Sequence, residues 1–330
     1  MSHNNNSIIS VKNLKKYYPV KTGFLYTLFK KEKKYVKAVD DISFSIKKGE
    51  IMGLAGESGS GKTTTGEIIA QLQKQTSGTI FYNGEDTNKL KDSDLKDFRR
   101  ACQMIFQDPY ETLNPRFTIK RTIEEPLLIH GFKDDKKRME KVIDALDKAE
   151  LRPPEDFLNR FPHELSGGQR QRVAIARGIV LDPVLMIADE PVSMLDVSIR
   201  AGVLNLLRDL RSNMGVSMLY VSHDLSTIKY ICDRIIILYL GRIVEIGPTN
   251  EVIEKPVHPY TQALISAVPS PDPDVKRKGT KIKGELPDQI DLPEGCRFYH
   301  RCLVANETCK TKDPELIEVG ESHYAACNLL

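Results

Sequence analysis

The stretch "GESGSGKT", residues 56–63, sets Gly56, Gly61, Lys62 and Thr63 at the spacing of a phosphate-binding loop. Glycines let consecutive backbone N–H groups wrap a phosphate with no Cβ in the way, and the helix that follows adds the positive end of its dipole. On this reading Glu57, Ser58, Gly59, Ser60 and Thr64 complete the cradle. Lys62 reaches the β- and γ-phosphates, and the Thr63 hydroxyl ligates Mg²⁺. A second run, "VLMIADE" at 184–190, ends an apolar strand on two acids. Asp189 can hold Mg²⁺ through water, and Glu190 stands next to it to orient and polarise an attacking water. Two acids after a strand are also what a helix cap looks like; the phosphate loop upstream turns them toward triphosphate hydrolysis.

About a hundred residues beyond the loop, "LSGGQRQRVAIARG" (165–178) opens a basic helix with one Ser and two adjacent Gly. That too is built to hold an anion, through backbone N–H groups near Ser166, Gly167 and Gly168 and the Ser166 hydroxyl. An N-capped surface helix would account for the Ser but not for the Gly-Gly-Gln after it.

A resemblance accounts for two anion sites in one chain. "GESGSGKT", "IFQDP", "LSGGQRQR", "MIADE", "MLD" and "VSHD", in that order, resemble the motifs of the ATP-binding-cassette (ABC) ATPases over residues 1 to about 265. In that family two cassettes meet head to tail, and each ATP lies between the phosphate loop of one and the signature of the other. The resemblance implies that Ser166, Gly167, Gly168 and Gln169 contact the partner's ATP. It implies that Asp196 belongs to the loop communicating across the dimer, with Met194 where the family often has Ala. Gln107 becomes the flexible Gln touching Mg²⁺ and water, and His223 the switch histidine on the γ-phosphate; with Glu190 they form the catalytic set. Tyr18 is the expected adenine-stacking aromatic, with Tyr17 its competitor, because strand alternation sends the two to opposite faces. The implied fold is α/β: a P-loop NTPase (RecA-like) core with an ABC antiparallel β subdomain and an α-helical signature subdomain.

The elements that must position these residues are legible. Strand and helix patterns alternate to about residue 265, which predicts a mainly parallel sheet. "IMGLAG" (51–56) reads as a buried strand entering the loop, with Ile68, Ile69 and Leu72 as the stripe of the next helix. Met139, Val142, Ile143 and Leu146 fall on one helical face inside a mostly helical insertion, about 110–178. "VLMIA" (184–188) and "VSMLYVSH" read as strands, Val203, Leu206, Leu207 and Leu210 as a helical stripe, and "RIIILYLGRIVEIG" as a hairpin turning at Gly241. Domains are expected at 1–265 (nucleotide-binding) and 266–330 (a Pro- and charge-rich linker, then a compact four-Cys extension).

"IFQDPYETLNPRFTI" (105–119), "KPVHPYTQALISAVP" (255–269) and the Cys-bearing tail resemble the ATPase subunits of oligopeptide/dipeptide/nickel importers. "NPR" and the N-terminal "YYPVKTGFLYTLFKKEKKYVKAVDDISF" resemble the second, F-type, paralogue. That resemblance implies a heterodimer with the other ATPase, two membrane permeases and an extracellular solute-binding protein. The cargo is a peptide, or alternatively nickel, glutathione or an oligosaccharide. The tail reads Cys296-x5-Cys302-x6-Cys309-x17-Cys327. It lacks the C-x₂-C knuckles of zinc ribbons, and four thiolates can hold an iron–sulfur cluster. A 4Fe–4S cluster, carried by some relatives at the corresponding tail, is expected, with zinc, or uncommitted thiols or disulfides, as alternatives. Cys102 and Cys232 sit in apolar contexts, as buried spacers do.

Bulk properties exclude other classes. A net charge of +3 offers no nucleic-acid partner, and "KKEKK" (30–34) reads as a solvated loop. A soluble ABC ATPase acting on DNA or ribosomes is disfavoured further by the single cassette and the short loop-to-signature spacing. No run approaches the roughly 18–20 apolar residues of a membrane span. The N-terminus shows no secretory signal, so an intracellular chain is expected, and the importer resemblance implies a peripheral place at the cytoplasmic face of the membrane, held there by its partners.

Overall fold

The computed structural model describes residues 6–20, 34–267, 282–284, 287, 289–290 and 292–330. The basic run at 30–34 and most of the Pro-rich linker lie outside the described residues, apart from Lys34 and a few linker positions. The described strands are β1 (Ser7–Pro19), β2 (Tyr35–Lys47), β3 (Ile51–Ala55), β4 (Ser77–Tyr82), β5 (Glu85–Asp86), β6 (Cys102–Ile105), β7 (Leu185–Asp189), β8 (Ser217–Val221), β9 (Arg234–Tyr239), β10 (Arg242–Pro248), β11 (Ile317–Gly320) and β12 (His323–Ala325). The chain divides into two compact units interleaved along the sequence.

The first unit comprises Met1–Ile9, Ser45–Ile51 and Phe81–Ser222. Its sheet is parallel: β6 pairs with β7, and β7 with β8. All five residues of β7 and of β8 are buried, as a strand covered on both faces requires; this is why they read as unbroken apolar runs. The helix Val197–Met214 packs its stripe Val203, Leu206, Leu207 and Leu210 inward, each nearly inaccessible, and burying each such side chain contributes about 1.5–3 kcal/mol. The expected insertion is helical: Pro109–Thr112, Ile119–Ile129, Asp135–Lys148, Glu155–Leu158 and Gly167–Ile179. Along Asp135–Lys148 the expected face is half right. Val142 and Leu146 are buried, but Met139 and Ile143 are only partly covered. Arg138 takes a buried place instead, its Nε donating to Glu124 Oε1 at 2.7 Å and its Nη1 to the carbonyls of Phe132 and Lys133.

The second unit comprises Ser10–Phe44, Met52–Ile80 and His223–Leu330. Here β3 pairs parallel with β9, β9 turns back antiparallel into β10, and β10 is followed by β12 and then β11. The β9–β10 turn places Leu240 and Gly241 between the paired Tyr239 and Arg242, both at positive φ (46° and 78°), the two-residue hairpin geometry expected at Gly241. The Cys-bearing extension thus adds two strands to this sheet. Strands β1, β2 and β4 belong to a separate sheet. The helix after the phosphate loop, Lys62–Ile69, ends before the predicted Leu72. Gln71 turns the chain at φ 56°, and Leu72 is 53% exposed, so the stripe stops at Ile69. Likewise β7 begins at Leu185, leaving Val184 outside and Asp189 as the last strand residue. Among the described residues no helix is long and apolar enough to cross a membrane.

Candidate functional site

In the second unit, β3 delivers the chain into the loop 56–61. Gly61 caps the helix Lys62–Ile69 at φ 101°, and a Cβ there would press into the Ala38 carbonyl oxygen. At Gly56 a Cβ would press into the Leu238 carbonyl oxygen. Backbone therefore crosses backbone too closely at both positions for any side chain. Lys62 is buried, with Nζ donating to the carbonyls of Gly56 (2.8 Å) and Glu57 (3.0 Å), so its ammonium stands over the loop. The Ser60 hydroxyl oxygen is buried and without a hydrogen-bond partner among the described residues. An orphaned hydroxyl beside a buried ammonium, ahead of a helix N-terminus, fits an oxyanion ligand. Ser58, Gly59 and Thr63 are exposed and Thr64 is half-buried.

The back of this loop is held by residues that the sequence did not flag. The Glu57 N–H donates to the Tyr260 hydroxyl at 2.9 Å. Arg301 grips the Glu57 carboxylate with two nitrogens, at 2.8 and 3.1 Å, and Gln289 donates to the Gly59 carbonyl. Burial alone would lower the Arg301 pKa, but the bonds to Glu57 and Tyr239 raise it overall. Tyr239, Tyr260 and Phe298 cluster with ring centroids 4.6–5.4 Å apart. These partners lie more than 180 residues from the loop, and no local pattern announces them.

The two tyrosines of β1 go to different partners, as alternation requires. The Tyr17 hydroxyl donates to Asp40, which also accepts from Arg297; the Tyr18 hydroxyl donates to Gln73. Burial, then the Asp40 carboxylate, raises the Tyr17 pKa, whereas the Asp40 carboxyl, despite burial, is held low by Tyr17 and Arg297. Lys16 Nζ lies 4.9 Å from the centroid of the Tyr18 ring. His223, in the same unit, is exposed and immediately precedes Asp224, the N-cap of the helix Leu225–Ile231.

In the first unit, Asp189 is buried at the end of β7 and Glu190 follows it at φ 45°. A left-handed backbone at a non-glycine residue costs on the order of 1–3 kcal/mol and concentrates at functional sites. It is held by the Glu190 N–H donating to the Val221 carbonyl at 2.9 Å. Gln107 Nε2 donates to Glu190 Oε2 at 3.1 Å, so the structure brings together two of the three expected catalytic residues within this unit.

Ser166 N-caps the helix Gly167–Ile179, and Gln169 closes a reciprocal capping box. The Gln169 N–H donates to Ser166 Oγ (3.3 Å), and the Ser166 N–H to Gln169 Oε1 (3.0 Å). The box accounts for the Gln as well as the Ser, which a plain N-cap did not. Gly168 also has an internal reason, since a Cβ would lie 2.5 Å from Ile199 Cγ2. Gly167 has none, for its Cβ would meet nothing nearer than Leu195 Cδ2 at 3.9 Å. Asp196 sits exposed at the N-cap of Val197–Met214 without a side-chain capping bond.

The six cysteines are free. Cys102 is buried and its thiol pushed up to about 12 by burial, and Cys232 is raised likewise. Burial above all, with smaller contributions from Cys309, Cys327 and Cys302, pushes the Cys296 thiol up to about 12. The Cys296 N–H donates to the Cys309 carbonyl at 2.8 Å. Among the described residues no three His, Cys, Asp or Glu side chains converge as a single metal ion requires. Neither the expected 4Fe–4S cluster nor its zinc alternative finds support in that arrangement.

A strand–loop–helix with an orphaned hydroxyl and a buried lysine, together with a carboxylate–amide pair after a buried strand, defines the class of nucleotide-hydrolysing α/β proteins. Residues 39–193 match the family model described as ABC transporter, and residues 244–309 that described as Oligopeptide/dipeptide transporter, C-terminal region. The chain is 45% identical over 329 residues to the oligopeptide transport ATP-binding protein AppF of Bacillus subtilis, covering 99% of this chain and 98% of that one. It is 44% identical to the dipeptide transport ATP-binding protein DppF of Haemophilus influenzae, with 98% and 97% covered. A dimeric ATP-binding cassette in a post-hydrolysis state, bound to ADP and phosphate, superposes with TM-score 0.62 at 33% identity, covering 73% of this chain and 98% of that one. The chain belongs to the ABC transporter ATPase family, in its oligopeptide/dipeptide importer branch.

Proposed function

We infer that this chain is the ATP-hydrolysing subunit that powers peptide import through an ABC transporter. Residues 1–265 form the nucleotide-binding module and 266–330 the linker and four-Cys extension. The observation that carries the reading is the Gln107 amide on the Glu190 carboxylate, directly after Asp189. The loop 56–64 binds the phosphates of ATP, Tyr18 stacks on the adenine, and Lys62 neutralises the β- and γ-oxygens. Thr63, Gln107 and Asp189 would hold Mg²⁺, which when bound supplies charge neutralisation between the phosphates. Glu190, oriented by Gln107, accepts the proton of the attacking water, and His223 hydrogen-bonds the γ-phosphate. Ser166, Gly167, Gly168, Gln169 and Asp196 serve the ATP of a second cassette. Gly167, where a Cβ would meet only Leu195 Cδ2 at 3.9 Å among the described residues, leaves room for a close approach.

The second cassette is the paralogous ATPase, and the pair drives two permeases fed by an extracellular solute-binding protein. The chain is then peripheral, at the cytoplasmic face. The spacing Cys296-x5-Cys302-x6-Cys309-x17-Cys327 is what supports a 4Fe–4S cluster held by these four thiols, with a structural role. The test is Glu190→Gln in the assembled complex. The variant should bind and retain ATP but lose turnover by about 10²–10⁴-fold, the span of a general base; turnover at the wild-type rate would overturn the assignment.

A further inference from the structure

The segment Cys296–Cys302 carries two arginines that leave the extension and enter the surroundings of the nucleotide loop. Arg301 forms a two-pronged ion pair with Glu57, the second residue of the phosphate loop, with its side chain 9% exposed and that of Glu57 26% exposed. Arg297 donates to Asp40, which is in turn bonded to Tyr17. The Glu57 main chain is fixed from the same side by the Tyr260 hydroxyl, and its carbonyl accepts from Lys62. Glu57 is thus a negative charge built into a loop whose ligand is itself an anion. Two parallel N–H···O bonds both neutralise that charge and set its direction, which a point charge could not do.

We propose that Arg301 is a positioning residue for the phosphate loop: by holding and neutralising Glu57, the C-terminal extension sets the affinity of the loop for ATP. Without Arg301 the Glu57 carboxylate repels the triphosphate and the loop loses its rear anchor. Affinity then falls while the chemistry at Glu190 is untouched, so KM rises and kcat holds. The proposal rests on the reading of residues 56–64 as the ATP site.

The experiment measures equilibrium binding of a fluorescent ATP analogue to the full chain, and KM and kcat in the assembled complex. Arg301→Ala should weaken binding about tenfold, in line with losing a charge-assisted pair. Glu57→Gln placed in the Arg301→Ala background should restore most of the loss, because the uncompensated charge is gone. A purely structural arginine would not be rescued this way. Should Arg301→Ala fail to fold, the uncharged Arg301→Gln takes its place, with a weakening in the same direction and the same rescue by Glu57→Gln. Wild-type affinity in the arginine variant, or no rescue, overturns the proposal. Undiminished binding in Lys62→Ala would instead mean that the loop is not the nucleotide site.

Discussion

The Gln107 side-chain amide donates to the Glu190 carboxylate at 3.1 Å, joining the segment after β6 to the end of β7. The two positions are 83 residues apart in sequence, yet the parallel pairing of β6 with β7 ends both strands side by side and makes the contact a product of sheet register. Gln107 is exposed, so the bond is worth the low end of the range for a charged acceptor, about 1.5 kcal/mol. Gln107→Ala should therefore slow turnover about tenfold and weaken the affinity for an ATP analogue much less, since Thr63 and Asp189 would still hold Mg²⁺. Equal losses in both would show that the amide serves binding and not the orientation of Glu190.

Ser166 offers a way to separate a helix cap from an anion site. Asp caps a helix N-terminus as well as Ser does and suits the positive end of the dipole. Ser166→Asp should melt within a degree or two of the parent chain. It should nevertheless abolish ATP hydrolysis in the complex, since a carboxylate would face the partner's triphosphate. Retained hydrolysis would mean that this stretch does no more than begin its helix.

His258 predicts a dependence of stability on pH. Its ring is buried against Phe298, and its Nδ1 accepts from the Tyr260 N–H as the cap of the helix Pro259–Ser266. Burial lowers its pKa from 6.5 to about 3. Between those values the unfolded chain binds a proton that the folded chain refuses, so this contribution is complete above pH 6.5 and is lost as the pH falls toward 3. The slope is at most about 1.4 kcal/mol per pH unit for one proton. His258→Asn keeps a capping side chain and removes the titration. Its denaturation midpoint should change less between pH 7 and pH 5 than that of the parent, and parallel curves would show that His258 is not the group responsible.

The four-cysteine tail should reveal its occupant by colour. Purified without oxygen, the chain should be brown and yield iron and sulfide on acid treatment, and Cys309→Ala should bleach it. Cys102→Ala, at a buried spacer in the other unit, should keep the colour. Zinc, or no metal at all, in an anaerobic preparation would reject the cluster.

What sequence alone revealed follows a physical line. The loop 56–63, the acids after β7 and the capped helix at 166 were legible because each is a local device, with spacing dictated by a turn, a strand end or a helix start. The apolar stripe of Val197–Met214 was legible for the same reason. Leu72 was misplaced because periodicity says where a stripe would continue and not where the backbone leaves the helix, which here is the left-handed Gln71. Arg138 was missed because a buried arginine is paid for by a partner, Glu124, one helix away. Arg301 and Arg297 were missed because they meet Glu57 and Asp40 across 244 and 257 positions. In "CRFYHRC" they look like any basic residues.

The pairing of β12 onto β10 has a consequence for solubility. Glu245 and Ile246 of β10 are matched to Ala325 and Tyr324, while β11 outside them is short, and its two glutamates, Glu318 in the strand and Glu321 just past it, are exposed. Remove the last forty residues and a ladder of unsatisfied amides flanked by Ile243, Val244 and Ile246 becomes the sheet margin, an open template for another chain. The tail is thereby a seam cover, and a shortened chain is expected to self-associate before it loses its ability to fold.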